Sequence, residues 1–216
     1  MQVLLVNGSP HKNGNTGLAL SMLDNFFREK NIETKWFHIP DQPLRGCIGC
    51  NGCNGKNRCV FNDDPCNELI EDILQADGVI IGSPVYFAAP NGALCSLLDR
   101  AFYATCTRSQ LFKGKFAAAL VTCAWAGGTA SLDQLHRYFA PSQMTIVSSN
   151  DYTVFQGDSL KRKESRATDI LTESSKSPAS IAKSNKRWVG TCLYQEECKL
   201  NVINLILKCI GTLTTK

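Results

Sequence analysis

Short apolar runs alternate with longer stretches of helical period along the first two-thirds of the chain. Val3–Val6 is apolar throughout and runs into Asn7-Gly8-Ser9-Pro10. Thr16–Lys30 follows with Leu18, Leu20, Leu23, Phe26 and Phe27 at the spacing of one helix face. Thr34–Ile39 predicts a second strand, and Asp64-Pro65 a helix through Gln75 with Asp64 as N-cap and Pro65 in the first turn. Gly78–Ile81 has no polar alternation, as expected of a strand buried on both faces of a parallel sheet. A helix over Ala93–Tyr103, a buried strand over Phe116–Val121, a helix over Gly128–Phe139 and a strand over Met144–Val147 complete the series. The order βαβαβαβαβ predicts a doubly wound α/β fold, a five-stranded parallel sheet with helices on both faces.

The pattern fades from Ser159 onward. KRKESR and the Ser- and Lys-rich stretch after it read as solvated, and apolar periodicity returns only at Val202–Ile210, a candidate closing helix. Residues 1–158 are thus expected to form one domain, with a cysteine-rich loop at 46–64, and residues 159–216 a basic tail. A length of 216 residues suits this single core. The net charge of +4 is too small to argue for a nucleic-acid partner. No apolar run reaches the ~18 residues of a membrane span. MQVLLVNGSP has no basic n-region, so the chain is expected to start at Met1 and to be cytoplasmic.

Eleven cysteines is a high count. In a reducing compartment they argue for metal binding or catalysis over a disulfide framework. Cys95, Cys106, Cys123 and Cys209 lie among apolar residues and read as small packing side chains.

In an open parallel sheet, ligands bind beyond the carboxyl ends of the strands, so the loops there carry the candidate chemistry. GSPHKNGNT, residues 8–16, joins a buried strand to a helix. Its small residues let backbone N–H groups converge, and Ser9, Asn15 and Thr16 can add hydrogen bonds, which suits a phosphate. It is not a Walker loop: five residues separate Gly8 from Gly14, and Asn15 stands where the lysine would be. SPVYF, residues 83–87, follows the third strand with Tyr86 and Phe87 as aromatic surface for a flat ring. TCAWAGGT, residues 122–129, adds Thr122, Trp125, Thr129 and two glycines that permit close backbone approach. Together the three loops describe a site for flavin mononucleotide (FMN). Of the histidines, His11 sits in the phosphate loop, whereas His38 and His136 read as structural.

GSPHKNGNT, SPVYF with LLDRAFY behind it, and AWAGGTASLDQL resemble the flavodoxin-like NADPH-dependent FMN reductases, and CIGCNGCNGKNRCVFNDD is similar to the motif of the iron–sulfur flavoproteins in that group. The resemblance covers roughly residues 1–150. It implies FMN held through its phosphate by Ser9, His11, Asn13, Asn15 and Thr16. The ring would be contacted by Pro84, Val85, Tyr86 and Phe87, and by the loop from Ala124 through Trp125 and Gly127 to Gly128. It also implies a homodimer or homotetramer, with NADPH as co-substrate or ferredoxin as electron donor, and a small-molecule acceptor.

Cys47, Cys50, Cys53 and Cys59 follow the second strand, interleaved with glycines at 46, 49, 52 and 55. Tight CxxC turns aim neighbouring thiolates at a common centre. Four-cysteine zinc sites use two separated pairs. The three evenly spaced ligands here are closer to the compact run of a ferredoxin. A [4Fe–4S] cluster is favoured over zinc, with unligated thiols in a flavin-only protein as the alternative. Asp99-Arg100 reads as a local ion pair or interface group of small energetic value. The expected activity is a flavin-dependent oxidoreductase that passes electrons through the cluster to FMN and on to a small acceptor. A cluster-free NAD(P)H-dependent FMN or quinone reductase and a non-catalytic redox or metal sensor are the rivals.

Overall fold

The computed structural model describes residues 1–106, 109–124 and 126–147, with the backbone of 152–156 and 187–191. Its elements are β1 (Gln2–Asn7), α1 (Asn15–Glu29), β2 (Glu33–His38), α2 (Cys66–Gln75), β3 (Gly78–Pro84), α3 (Gly92–Cys106), β4 (Phe116–Thr122), α4 (Gly128–Phe139), β5 (Thr145–Ile146), β6 (Tyr152–Gln156) and β7 (Arg187–Thr191). β1 to β5 pair in parallel in the order 2-1-3-4-5, the flavodoxin-like arrangement expected from the alternation of elements.

Apolar strands form here because successive side chains meet a different helix layer on each face. Leu4, Val6, Val79, Ile81, Ala117 and Ala119 pack with residues of α2, α3 and α4, among them Leu69, Leu97 and Leu135. Their neighbours Val3, Leu5, Ile80 and Ala118 pack against Ala19, Leu20, Leu23 and Phe27 of α1. β2, at the sheet edge, is only half buried, and its polar side chains find partners there: Lys35 Nζ is 2.7 Å from Asp72 Oδ1, and Trp36 Nε1 donates to Asp24 at 3.0 Å.

Two antiparallel strands extend the parallel five. β7 pairs with Leu120–Thr122 of β4 beyond the short β5 contact at Phe116 and Ala117, and β6 pairs with β7. β7 begins at Arg187, the last residue of the stretch read from sequence as solvated. The open edge of β4 supplies a pairing partner there that local periodicity does not show. The closing helix expected over 202–210 and Cys209 lie outside the described residues. Cys106 is buried, as its apolar setting predicts, while Cys95 and Cys123 are half buried. No helix among the described residues is long and apolar enough to cross a membrane.

Register places the site. Asn7 of β1 stands opposite Gly82 of β3, and Pro84 of β3 opposite Thr122 of β4, so the three carboxyl ends form one continuous edge. The chain leaves β1 for one face and β3 for the other, so a crevice opens between these neighbouring strands. Phe27, fully buried between α1 and the sheet, measures how firmly that face is held. Phe27→Ala is expected to lower stability by about 3–5 kcal/mol, read as a fall in the urea midpoint with an unchanged slope.

Candidate functional site

The loop from Gly8 to α1 is tied down at its edges and open at its centre. Asn7 Oδ1 accepts the N–H of Ser9 at 3.1 Å, and Ser9 Oγ accepts that of His11 at 3.2 Å. The Gly14 N–H donates to His11 O at 3.0 Å, closing the turn that leads into the helix. α1 then begins at Gly14 with no side-chain cap and no acidic residue in its first turn. The first N–H groups of a helix lack intrahelical partners and carry partial positive charge, so an uncapped start directed at a loop is suited to an anion. Ser9 and Thr16 are buried at this point, Asn15 is half buried, and His11 and Asn13 are exposed. The loop must also lie close to its neighbours. A Cβ on Gly8 would sit 2.4 Å from Leu94 Cδ2 and 2.6 Å from Gly82 O.

Hydrogen bonds lace the second and third loops to the first. Thr16 and Thr122 share a hydrogen bond at 2.8 Å across 106 positions of sequence. The Val85 N–H donates to Thr122 O at 2.8 Å. Asn91 joins the first loop to the second: its Nδ2 donates to Gly8 O at 2.8 Å, and its backbone N–H to Ser83 Oγ at 3.0 Å. Its Oδ1 accepts the N–H of Ala93, capping α3. In the third loop, Gly127 has φ +85° and a Cβ there would stand 2.4 Å from Ala88 Cα. A side chain at 127 would therefore push two loops apart as well as strain the backbone. Pro84 and Val85 line the inner end of the second loop, while Tyr86 (59% exposed) and Phe87 (97% exposed) offer bare aromatic surface. Ala124 and Gly128 lie with Gly127 in the third loop, and Trp125 lies outside the described residues. The three loops thus bring together Ser9, Asn15, Thr16, Pro84, Val85, Thr122, Gly127 and Gly128, and these residues fit FMN.

The cysteine loop lies beside α3. Cys47, Cys50, Cys53 and Cys59 all line one cleft, which Arg100, Tyr103 and Ala104 line as well. Cys47 and Cys50 are exposed, Cys53 is half buried and Cys59 is buried. Among the described residues, no three His, Cys, Asp or Glu side chains already converge as metal ligands. The donor set nevertheless suits iron–sulfur ligation, because four free thiols face one space. Burial raises the Cys53 thiol above its ordinary range, and Cys50, Cys59 and Cys47 add to the rise.

Arg100 forms the back of this cleft and is only 2% exposed. Its Nε donates to Cys59 Sγ at 3.3 Å, Nη1 to Arg45 O at 3.2 Å and to Asp64 Oδ2, and Nη2 to Phe61 O at 3.4 Å. One guanidinium therefore grips both ends of the loop and one of its sulfurs. Burial works against the Arg100 charge, but hydrogen bonds to Asp64 and Cys59 outweigh it, and its proton is held more firmly than usual. The expectation of a local Asp99-Arg100 pair fails here. Adjacent residues on a helix do not face each other, and Asp99 instead accepts the Tyr138 hydroxyl at 2.6 Å. Asp64 serves two partners, since its Oδ1 accepts the N–H of Cys66 at the start of α2.

Asn67 is the other residue the motif did not reveal. Its Oδ1 accepts the N–H of Cys59 at 2.8 Å, and its Nδ2 donates to Cys59 O at 3.0 Å, Phe61 O at 3.2 Å and Asn62 Oδ1 at 2.7 Å. A buried asparagine on the helix just after a cysteine loop is a weak sequence signal, because its partners are set by the fold. His38 and His136 stand apart from the cleft, His38 with its Nδ1 3.3 Å from Asn7 Nδ2.

The chain is similar to known proteins over this same region. Residues 1–158 match the family described as NADPH-dependent FMN reductase. An iron-sulfur flavoprotein of Methanocaldococcus jannaschii is 34% identical over 157 residues, which cover 73% of this chain and 81% of that protein. A second iron-sulfur flavoprotein of that organism is 27% identical over 166 residues, covering 76% and 83%. Among solved structures, an NADH:FMN oxidoreductase in its apo form aligns with TM-score 0.50 at 21% identity, over 68% of this chain and 72% of that one. An NAD(P)H:(acceptor) oxidoreductase of Paracoccus denitrificans aligns with TM-score 0.50 at 20% identity, over 69% and 76%. At these identities the structural likeness establishes the shared fold.

The thiols of this region differ in environment. Cys66 is fully buried under α3, and burial pushes its thiol up to about 12. At about pH 8, only about one in ten thousand of such groups is a thiolate. In metal-free protein, iodoacetamide is expected to label the exposed Cys47 and Cys50 well before Cys66, as read by peptide mass spectrometry. Equal labelling would show that α3 does not seal Cys66.

Proposed function

This chain belongs to the NADPH-dependent FMN reductase family and is a flavin-dependent oxidoreductase; from that premise we propose that it holds FMN in the three laced loops and a [4Fe–4S] cluster in the cysteine cleft, passing electrons through the cluster to FMN and on to a small acceptor. The observation that carries this reading is the shared cleft. All four cysteines of CIGCNGCNGKNRC line it, backed by a buried cation, in a chain whose curated relatives are iron-sulfur flavoproteins by name.

The protein's own groups have distinct tasks in this reading. The uncapped start of α1, with Ser9, Asn15 and Thr16, takes the FMN phosphate, and His11 and Asn13 approach it from the exposed rim. Thr122 holds Thr16 in place from the neighbouring strand. Pro84, Val85, Tyr86 and Phe87 flank the ring on one side, and the backbone of Ala124, Gly127 and Gly128 approaches it on the other. Trp125 belongs to this contact set on sequence grounds. Bound there, FMN supplies one- and two-electron chemistry that no side chain can. Cys47, Cys50, Cys53 and Cys59 would hold the iron, with Asn67 fixing the backbone on either side of Cys59.

The exposed Phe87 beside Tyr86 supports a second subunit covering this rim, as a homodimer or within a homotetramer. Residues 1–158 would form the FMN-binding domain, and the basic segment 159–216 contributes β7 to its sheet. The protein is assigned to the cytoplasm, with ferredoxin or NADPH as electron donor.

Anaerobic purification with iron, sulfide and flavin assays tests the assignment. The expected outcome is about four iron and four sulfide per chain alongside FMN. Flavin without iron, bleached rapidly by NADPH, would instead establish a cluster-free NAD(P)H-dependent reductase. Two variants separate the sites. Cys50→Ser is expected to lose iron while keeping FMN. Thr16→Val, which removes a donor to a charged phosphate worth about 1.5–3 kcal/mol, is expected to weaken FMN binding about 10–100-fold while keeping iron. Equilibrium dialysis and iron assay read the two outcomes.

A further inference from the structure

We infer that Arg100 is a positioning and potential-setting residue for the cluster, acting through Cys59 Sγ. The inference rests on the cluster assignment proposed above and goes beyond the four ligands to the group that governs their charge.

Arg100 is the one cation lining the cysteine cleft among the described residues, and its contacts are specific. Nε–H points at Cys59 Sγ at 3.3 Å, while the opposite end of the guanidinium pairs with Asp64. The sulfur therefore meets the donor edge, and the compensating carboxylate lies behind it. Both partners are buried, with side chains 1% and 4% exposed, so little water screens the field at the sulfur. Arginine cannot lose this charge under ordinary conditions. Asp64 and the carbonyls of Arg45 and Phe61 hold three of its other four N–H donors, so the Nε–H is aimed before any ligand arrives.

The consequence is a sign. One-electron reduction adds one negative charge to a cluster and its thiolates, breaks no bond, and draws the electron from an external reductant. A donor and positive charge at one ligand sulfur stabilise that added charge. Hydrogen bonds to the sulfurs and net charge are levers that set such potentials. Arg100 should thus raise the midpoint potential, and its loss should lower it.

The test is a dithionite redox titration followed by electron paramagnetic resonance, with iron and sulfide assayed on the same samples. Arg100→Lys keeps the charge but cannot present a donor to Cys59 Sγ while reaching Arg45 O, Phe61 O and Asp64 together. The paired variant Arg100→Met with Asp64→Asn removes both buried charges, so neither is stranded, and it supplies the measurement should the single variant not fold. Either is expected to retain full iron and to shift the reduction equilibrium about tenfold toward the oxidised form, about 59 mV downward for one electron. An unchanged potential at full iron content overturns this inference and leaves the cluster assignment standing. So does loss of iron from variants whose circular dichroism is native, since Arg100 would then be a clamp on the loop alone. Wild-type protein without iron overturns both.

Discussion

Parallel register is the constraint on which the rest of the molecule depends. β1, β3 and β4 are hydrogen-bonded so that Asn7 ends level with Gly82, and Pro84 ends level with Thr122 two residues further on. Three loops then leave the sheet side by side, and the bonds that join them can be short and direct. Thr16 to Thr122, Val85 to Thr122 and Asn91 to Gly8 each link loops far apart in sequence. A slip of one residue would turn each strand's apolar set to the opposite layer, so the same burial that stabilises the sheet also aligns the site. No loop here needs to be rigid alone.

α3 carries that alignment outward. Its first turn is capped by Asn91, the same residue that holds the Gly8 carbonyl, and Arg100 lies eight residues along from Gly92. At the helical rise this is about 12 Å along the axis. The helix therefore acts as a spacer between the phosphate loop and the cysteine cleft, with one polar residue binding at each end. The cysteine loop, which has no regular secondary structure from 40 to 50, borrows its shape from this helix and from Asn67 on α2.

How much of this was legible in the chain follows from which forces act locally. Val3–Val6, Gly78–Ile81 and Phe116–Val121 were readable as strands because burial on both faces removes every polar position. The Gly8–Thr16 turn was readable as a strand-to-helix connection rich in small residues, and the cysteine loop from the short spacing of its thiols. Arg100 and Asp64 were not readable as a pair. They are 36 positions apart, and Asp99 beside Arg100 offered a nearer but wrong partner, while the bond of Asp64 to the start of α2 hid its second role. Asn67 and Asn91 were hidden for the same reason, since an asparagine's partners are decided by packing. β7 escaped because its pairing surface belongs to β4.

The bare N-terminus of α1 has a thermodynamic side. Like α4, this helix starts with no side-chain hydrogen bond at its N-cap. Acceptors for its first N–H groups can come from water or from a bound anion. Whatever anion supplies them joins the folding equilibrium by mass action, stabilising the native chain by RT ln(1 + [L]/Kd). An anion bound at the first helix would thus make the folded fraction of the chain depend on the concentration of that anion.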